Sequence, residues 1–371
     1  MTWKPTPLLA ALVLSACARD AVTAPAAPPV STDVSPAAAT LSVVMSGLDS
    51  PRGLAWGPDG ALYVAEAGSN IAGTTCVALA RGANCYSGTG AITRLWRGRQ
   101  QRVAAGLPSG FNAATNDIGG PQDISFGFFG IPYVTIGWGG APDARAGLGA
   151  LGRGFGSLLA VLPNGRWVIA SDISQFEADN NPAGGPIDSN PYGLLMEAGR
   201  TFVTDAGGNS LLRVHPGGRL SLVSTFPSTP VPAGPFNPPF AQSEAVPTSV
   251  SRGPDGKLYV STLTGVPFLP GAAVIYRVTE GQPPEVVLRG FTTILDFAVD
   301  GDRAVYVLQY SGAPFLNGPG SIVKVARDGT RTTITTALTH PTSILLGSRG
   351  TLYVSNNGDK AAIGEVLRID Q

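Results

Sequence analysis

The sequence predicts an all-β fold: a six-bladed β-propeller of four-stranded antiparallel blades, closed by a strand from the N-terminus. Three observations support this prediction. One motif occurs six times, 49 Gly and 32 Pro punctuate the 371 residues, and only 13% of the residues are charged. Because glycine and proline are unfavourable inside helices, coiled coils and helical bundles are excluded. The 43% of hydrophobic residues also distinguishes the chain from disordered sequences.

Each copy of the motif contains an aromatic residue followed by valine. These pairs are Tyr63-Val64, Tyr133-Val134, Phe202-Val203, Tyr259-Val260, Tyr306-Val307 and Tyr353-Val354. Five copies have an upstream proline (Pro51, Pro121, Pro191, Pro247 and Pro341), and all six have an apolar residue three positions after that register (Leu54, Ile124, Leu194, Val250, Phe297 and Ile344). Each copy therefore predicts two strands around a tight turn, and a second strand pair follows most copies. Four strands repeated six times are typical of a propeller.

The two ends of the repeat predict how the ring closes. The sixth copy stops one strand early after GEVLRID, whereas LSVVMSG (41–47) precedes the first copy without a partner. We expect this N-terminal strand to supply the missing outer strand, which would cover an open sheet edge. Residues 41–371 are then one propeller domain.

The first 40 residues predict export and anchoring. Residues 1–16 contain Lys4 and an apolar run too short to span a bilayer, which is typical of a signal peptide. Leu14-Ser15-Ala16-Cys17 resembles the lipobox of bacterial lipoproteins, in which the cysteine is lipidated; an ordinary signal peptide is the alternative. Residues 17–40 are rich in Ala and Pro and predict a tether. The expected protein is an exported bacterial lipoprotein, on the periplasmic side of the outer membrane or at the cell surface, that contacts the membrane only through its lipid.

The two remaining cysteines, Cys76 and Cys85, lie in one Gly-rich segment. An exported protein meets an oxidising compartment, so we expect them to form a disulfide. A zinc site is the alternative, but no histidine or third cysteine lies near them in the sequence.

The long connections predict a working face. Insertions fall between the second and third strands of a blade or between blades, and both kinds of connection emerge on the same side of a propeller. They are 68–90, 106–120, 137–156, 174–190, 226–246, 263–273 and 311–320. Long loops on a rigid scaffold commonly carry function, so we expect an unknown small molecule or protein to bind at this looped face. Basic and acidic residues balance at 25 each, which disfavours nucleic acid as a partner.

Polar side chains at strand ends predict chemistry at the mouth of the central channel. The carboxylate and amide candidates are Glu66, Asp123, Asp205, Asp296 and Asn356. Such oxygen ligands suit Ca²⁺ or another divalent metal, whereas the alternative is that they are hydrated or cap backbone groups. His340 is the one histidine expected on the looped face and is a candidate general base, with a structural role as the alternative. Nucleophile and zinc-protease motifs are absent from the sequence.

Aromatic residues in the loops permit two interpretations. They are Trp138, Phe236, Phe240, Phe268 and Phe315, several of them flanked by prolines. Packing over the rim is the simpler expectation, and binding of an apolar or sugar ligand is the alternative.

Several segments resemble the ScyD/ScyE family of exported propellers, which are similar to NHL and gluconolactonase-like propellers. They include PRGLAWGPDGALYVAEAG (51–68), DSNPYGLL (188–195), VTDAGGNSLLRV (203–214), the segment 246–273 with its LTGVPFLPGAA, GFTTILDF (290–297) and GEVLRI (364–369). The resemblance implies an exported ligand- or partner-binding propeller without established catalysis.

The gluconolactonase-like group implies an alternative, a divalent-metal-dependent hydrolase or lyase acting at the channel mouth. Those enzymes place an early glutamate on an inner strand, and PRGLAW (51–56) lacks it. Streptogramin-lyase-like propellers use a catalytic histidine, for which His340 is the sole candidate here.

Overall fold

The computed structural model describes residues 39–371, with the exception of Ala198 and Pro238. The predicted signal peptide (1–16), the lipidation site Cys17 and nearly all of the predicted tether lie outside the described residues. They therefore stay predictions.

The described part of the chain contains seven four-stranded antiparallel sheets, six of which we call blades. The first half of the chain has the following strands and one α-helix in order: β1 (Thr40–Leu48), β2 (Pro51–Trp56), β3 (Leu62–Glu66), β4 (Cys76–Leu79), β5 (Gly82–Tyr86), β6 (Gly90–Trp96), β7 (Arg99–Leu107), β8 (Gly110–Asn112), β9 (Asp117–Gly119), β10 (Pro121–Phe126), β11 (Pro132–Ile136), β12 (Ser157–Val161), β13 (Trp167–Asp172), α1 (Ile173–Asn180), β14 (Pro191–Glu197), β15 (Arg200–Asp205), β16 (Ser210–Val214) and β17 (Leu220–Thr225).

The second half continues with shorter connections. Its strands are β18 (Thr229–Pro230), β19 (Gln242–Ser243), β20 (Pro247–Arg252), β21 (Leu258–Thr262), β22 (Ala273–Val278), β23 (Glu285–Phe291), β24 (Ile294–Val299), β25 (Val305–Gln309), β26 (Gly320–Val325), β27 (Arg331–Leu338), β28 (Ser343–Leu346), β29 (Leu352–Asn356) and β30 (Gly364–Asp370). Short 3₁₀ segments lie at Phe128–Gly130, Pro142–Gly152, Pro314–Leu316 and Ser348–Gly350. Within the described ranges, no helix is long and apolar enough to cross a membrane.

The blades follow the predicted repeat. Blade one is β2-β3-β6-β7, blade two β10 to β13, blade three β14 to β17, blade four β20 to β23 and blade five β24 to β27. Blade six joins three C-terminal strands to the N-terminal one in the order β28-β29-β30-β1. The innermost strands contact their neighbours around a closed circuit from β2 through β10, β14, β20, β24 and β28 back to β2. The six-bladed propeller and its closure by the N-terminal strand are confirmed.

The motif residues explain why each blade begins the same way. The six valines that follow the aromatic residues are all fully buried. Each lies opposite the apolar residue of the preceding strand, as Leu54 lies opposite Val64 and Ile344 opposite Val354. A buried apolar pair on neighbouring strands of every blade fixes the strand register, because a slip of one residue would expose both side chains.

The long insertions of blade one form a structure that the sequence did not predict. Strands β4 and β5 come from the connection inside blade one, β8 and β9 from the connection to blade two, and together they form a small four-stranded sheet that we call the insertion sheet. Cys76 lies opposite Cys85 in this sheet, and the two are joined in a disulfide, as predicted. The disulfide therefore links β4 to β5.

Hydrogen bonds between inner strands join the blades around the channel. Asp296 on β24 accepts from the Ser249 hydroxyl of blade four (2.6 Å) and from the Ser343 hydroxyl of blade six (2.8 Å). Asp123 on β10 accepts the Leu194 N–H of blade three (2.7 Å). We call these inter-blade contacts the inner belt.

Glycine at one position of the inner belt is required by space. A Cβ at Gly53 would lie 2.1 Å from Asp123 Oδ1 and 2.6 Å from Asp123 Cα, so the backbone of blade two would have to move. We expect Gly53→Ala to lower the free energy of unfolding by at least about 2 kcal/mol through overpacking, measured by chemical denaturation.

Gly301 is a matched control, because a Cβ there meets nothing within 4 Å. Gly301→Ala should leave stability unchanged or slightly raised. Equal stability of the two variants would contradict the close approach of blades one and two.

Candidate functional site

A cavity of about 530 Å³ opens on the looped face. Four inner strands contribute their second residues to it: Arg52, Gln122, Tyr192 and Leu295. The remaining walls come from loops and from the insertion sheet, including Arg81 and Asn84 of the latter. The cavity therefore forms where the inner strands of the blades begin, covered by the loops that the sequence predicted to share one face.

An irregular strand start directs these residues into the cavity. Pairing of the two inner strands shifts register just after the first residue in blades one to five, for example between Pro51 and Leu54 and between Pro121 and Asp123. A β-bulge re-aims the neighbouring side chains. The repeat pattern predicted that the third residue of each inner strand, such as Asp123, lies at the mouth of the channel. In the structure, the second residue of four inner strands, such as Gln122, lines the cavity instead.

Arg52 is the most unusual group in the cavity. Its side chain is buried, with 8% of the residue exposed, and its Nη2 donates to the carbonyl of Ile118 (3.2 Å). Its Nε is buried and has no hydrogen-bond partner. The guanidinium thus keeps unused donors beside the cavity.

Two tyrosines line the same part of the cavity. Burial raises the pKa of Tyr192 to about 12, although the charge of Arg52 opposes the shift. Burial and the charge of Asp359 also raise the pKa of Tyr310 above its ordinary value, again with Arg52 opposing. Both phenols are therefore neutral at physiological pH and can donate hydrogen bonds.

A second group of charges lies around Arg81. Its Nη2 donates to the carbonyl of Gly139 (3.3 Å), and its charge partly opposes the effect of burial on the pKa of Asp188 and Glu244. Burial acts more strongly in the opposite direction and raises the pKa of both carboxyls. The cavity is therefore lined by two arginines, Arg52 and Arg81, and the carboxyls of Asp188 and Glu244 interact with Arg81.

The predicted metal ligands Asp123 and Asp296 belong to the inner belt. Their oxygens are occupied: Asp123 also accepts the Ile124 N–H (2.8 Å), and Asp296 also accepts the N–H groups of Phe297 (2.8 Å) and Ile344 (2.9 Å). Burial raises the pKa of both carboxyls, and the charge of Asp296 raises that of Asp123 further. Their function in the structure is to join blades.

Glu66 and Asn356 are also occupied by other groups. Glu66 Oε2 lies 2.6 Å from Arg102 Nη2 and accepts the Asp49 N–H (2.7 Å). Asn356 accepts the Thr339 N–H (2.8 Å) and donates to Glu365 Oε1 (2.8 Å). Both side chains stabilise the ends of second strands, as the alternative interpretation expected.

The fifth candidate, Asp205, orders a loop beside the cavity. It accepts from the Ser189 hydroxyl (2.7 Å) and from the N–H groups of Asn190 (2.6 Å) and Gly208 (3.1 Å). Burial raises its pKa to about 6, although these hydrogen bonds oppose the shift. Asp205 therefore positions Asn190, which lines the cavity.

The structure does not gather these five residues into one metal site. None of them lines the cavity, because each is turned toward a backbone or side-chain donor of its own surroundings. Across the described part of the chain, no group of three or more His, Cys, Asp or Glu side chains is placed to hold a metal ion. The five residues do not fit a single cation, and binding of Ca²⁺ or another divalent metal stays a prediction.

His340 lies behind two residues that line the cavity, Tyr310 and Asp359. Its ring stacks on Tyr310, with centroids 4.6 Å apart, and its Nδ1 lies 2.9 Å from Asp359 Oδ2. Burial raises the pKa of Asp359, but hydrogen bonds from His340 and Lys360 outweigh it and lower the pKa to about 2. His340 itself does not line the cavity, while Tyr310 and Asp359 do. A role as general base stays a prediction.

Most of the loop aromatics pack at the rim. Trp138 is buried against Phe155, and Phe315 lies between Phe236 and Phe240 with ring centroids 5.5 and 6.3 Å away. Phe268 lines the cavity. The rim-packing interpretation therefore describes these rings, although Trp138 and Phe268 also present a surface to the cavity.

Two residues of this region, Arg52 and Tyr192, were not predicted from the sequence. A signal for Arg52 was present, because it is a cation at the start of an inner strand in a chain with few charges. Glu177 lies on α1 and is 1% exposed, with its Oε2 unpaired. A Cβ at Gly208 would lie 2.7 Å from that oxygen and 3.1 Å from Asp205 Cγ, so Gly208 lies against both carboxyls.

Similar solved structures agree with the fold. A PQQ-bound aldose sugar dehydrogenase from Streptomyces coelicolor matches with a TM-score of 0.53 and 13% identity, over 93% of this chain and 99% of that one. A gluconolactonase from Xanthomonas campestris matches with a TM-score of 0.52 and 10% identity, over 89% of each chain. A putative gluconolactonase matches with a TM-score of 0.50 and 13% identity, over 90% and 93%. The chain is thus a β-propeller protein with gluconolactonase-like structural neighbours.

The sequence comparisons are negative. No protein-family model matches the chain, and no curated protein is significantly similar to it. At these identities the structural likeness establishes the fold alone, and the ScyD/ScyE resemblance stays a prediction.

The environment of Glu177 predicts a pH-dependent stability. Burial and the charges of Asp205 and Asp188 raise its pKa from 4.5 to about 7. A carboxyl with a raised pKa destabilises the folded state increasingly as pH rises from about 4.5 to about 7. We expect Glu177→Gln to be more stable than the wild type by about 2–3 kcal/mol at pH 8, and by nothing near pH 4.5.

Denaturant unfolding at the two pH values measures this difference. The exposed Glu280 provides the control, and Glu280→Gln should match the wild type at both. A Glu177→Gln variant that is less stable at pH 8 would show that a partner stabilises the carboxylate, which contradicts a raised pKa.

Proposed function

We propose that this chain is an exported, lipid-anchored β-propeller of the ScyD/ScyE type that binds a small polar molecule in the cavity of its looped face, without catalysing a reaction. One observation carries the ligand-binding part. The cavity of about 530 Å³ lies within the 300–1,000 Å³ typical of small-molecule sites, and it lies where inner strands and loops meet.

The lining of the cavity supports a polar ligand. Five amide side chains contribute both donors and acceptors: Asn84, Asn112, Asn116, Gln122 and Asn190. Trp138 and Phe268 add apolar surface. A mixture of amides, charges and rings suits a molecule that carries several hydroxyl or amino groups. The names of the neighbours, an aldose sugar dehydrogenase and gluconolactonases, agree with small polyhydroxylated molecules as ligands of this architecture.

The alternative, a divalent-metal-dependent hydrolase or lyase, has less support. The five oxygen ligands predicted for the metal have hydrogen-bond partners within the protein, and His340 is turned toward Asp359. A metalloenzyme would need a different set of ligands. The binding function needs only the cavity.

The export and anchor rest on the first 17 residues. A lipidated Cys17 would place the looped propeller on the periplasmic side of the outer membrane or at the cell surface, with the membrane contacted through the lipid alone.

The ligand-binding proposal is tested by narrowing the cavity. Gly119 lines it, and a Cβ there meets only one atom, at 4.0 Å, so a larger side chain extends into open space. We expect some members of a panel of sugars, sugar acids, amino acids and nucleosides to raise the melting temperature of the wild type, and Gly119→Leu to abolish that shift. Gly301→Leu, on the opposite face, is the matched control and should retain it. Equal shifts in both variants would place binding outside the cavity.

The anchoring proposal has its own test. In a Gram-negative host, Cys17→Ala should move the protein from the membrane fraction to the soluble periplasm and prevent incorporation of labelled palmitate. A variant that stays in the membrane fraction without label would show that another feature attaches the protein.

A further inference from the structure

Arg52 is a buried cation without a counterion. Within residues 39–371, leaving aside Ala198 and Pro238, no carboxylate lies within 4.0 Å of its guanidinium, and one carbonyl, that of Ile118, accepts from it. Its Nε is shielded from solvent and unpaired, whereas the side chain as a whole lines the cavity. The unused donors are therefore located at the cavity wall.

Two other partly buried arginines of this protein, Arg145 and Arg102, are paired with carboxylates. Arg145 lies 2.9 Å from Asp172, and Arg102 lies 2.6 Å from the buried Glu66. Removing a charge from water is costly unless a partner of opposite charge and good geometry compensates for it. The protein supplies such a partner to Arg145 and Arg102 but not to Arg52, which lines a cavity where a bound molecule could supply it.

We propose that Arg52 binds the carboxylate of a small monocarboxylate whose remaining groups are hydroxyls. This inference rests on the proposed function, because it names the class of ligand for the same cavity. A guanidinium presents its N–H groups in a planar fork that matches the two oxygens of a carboxylate.

The rest of the cavity disfavours a second negative charge on the ligand. The carboxyls of Asp117, Asp188, Glu244 and Asp359 also line it, so a dianion such as a phosphate monoester would meet like charges. Hydroxyl groups are matched instead, because carboxylates accept from them and the amides of Gln122 and Asn190 both accept and donate.

Tyr192 and Tyr310 support the same orientation. Both side chains line the cavity together with Arg52, and both phenols stay protonated at neutral pH. A neutral phenol can donate a hydrogen bond to an anion, while a phenolate would repel it. The carboxylate end of the ligand therefore fits at Arg52, and the hydroxylated end fits against amides such as those of Gln122 and Asn190.

Isothermal titration with four molecules of similar size tests the class of ligand. We expect glucuronate, with one carboxylate and several hydroxyls, to bind at least tenfold more tightly than glucose, hexanoate or glucose 6-phosphate. Glucose binding as tightly as glucuronate would overturn the role of charge, and hexanoate binding as tightly would overturn the role of the hydroxyls. Tighter binding of glucose 6-phosphate, or no binding of glucuronate, would overturn the carboxylate assignment.

Substitution of Arg52 tests the residue. Arg52→Gln should weaken glucuronate binding at least tenfold, Arg52→Lys should have a smaller effect, and Arg327→Gln, an exposed arginine in a turn on the opposite face, should have none. A purely structural role would lower the melting temperature of Arg52→Gln, whereas removal of an uncompensated buried charge should leave it unchanged or raise it. Unchanged glucuronate affinity in Arg52→Gln would contradict the inference.

The outcomes separate this inference from the proposed function. If other small molecules bind the wild type and lose their effect in Gly119→Leu, while glucuronate does not bind, the cavity is a binding site for another class of ligand. If nothing binds in the cavity, both proposals fail together.

Discussion

Hydrogen bonds between the inner strands of neighbouring blades are the interaction on which this structure depends. The inner strands are the closest elements to the propeller axis, so each must approach the next with little side-chain volume between them. Asp296 alone joins blades four, five and six through Ser249 and Ser343. The Ser343 hydroxyl in turn accepts the Leu54 N–H of blade one (3.2 Å). These bonds replace hydration that the carboxylate loses on burial, which is the condition for keeping an ionisable group at such a position.

Because the inner-strand carboxylates join neighbouring blades, they are not available to bind a ligand in the channel. A side chain whose oxygens already accept two or three N–H and O–H groups has little capacity left for a cation. Asp123 and Asp296 are therefore parts of the scaffold, and the groups with unused capacity, Arg52 above all, lie one residue earlier on the inner strands. The bulge at the start of these strands separates the two functions: residues on one side of it join blades, and residues on the other side face the cavity.

The fold could be predicted from the sequence because it repeats. Pairs such as Leu54 and Val64 recur in every blade, and each recurrence confirms the register of the others. The site could not be predicted equally well, since it depends on contacts that occur once. Because of the strand bulge, Arg52 lines the cavity, whereas the next residue, Gly53, lies against Asp123 of blade two. Helix α1 brings Glu177 close to Asp205, which is distant in the sequence. The insertion sheet combines two separate connections of blade one, so no single segment shows its pattern. The disulfide was predictable because cysteine pairing needs only composition and compartment.

The position of Arg52 links the cavity to the closure of the ring. Its backbone carbonyl accepts from the Ser355 hydroxyl (2.7 Å), and the preceding Pro51 carbonyl accepts from Thr342 (2.7 Å), both of blade six. Blade six is the blade that the N-terminal strand β1 completes. The backbone that presents the guanidinium is therefore held by the junction between the first and last blades. A molecule bound to Arg52 would bind the closed ring in preference to an opened one, and by mass action it would stabilise the junction. In a ring whose two ends meet without a covalent link, the cavity and the closure are consequently stabilised by the same contacts.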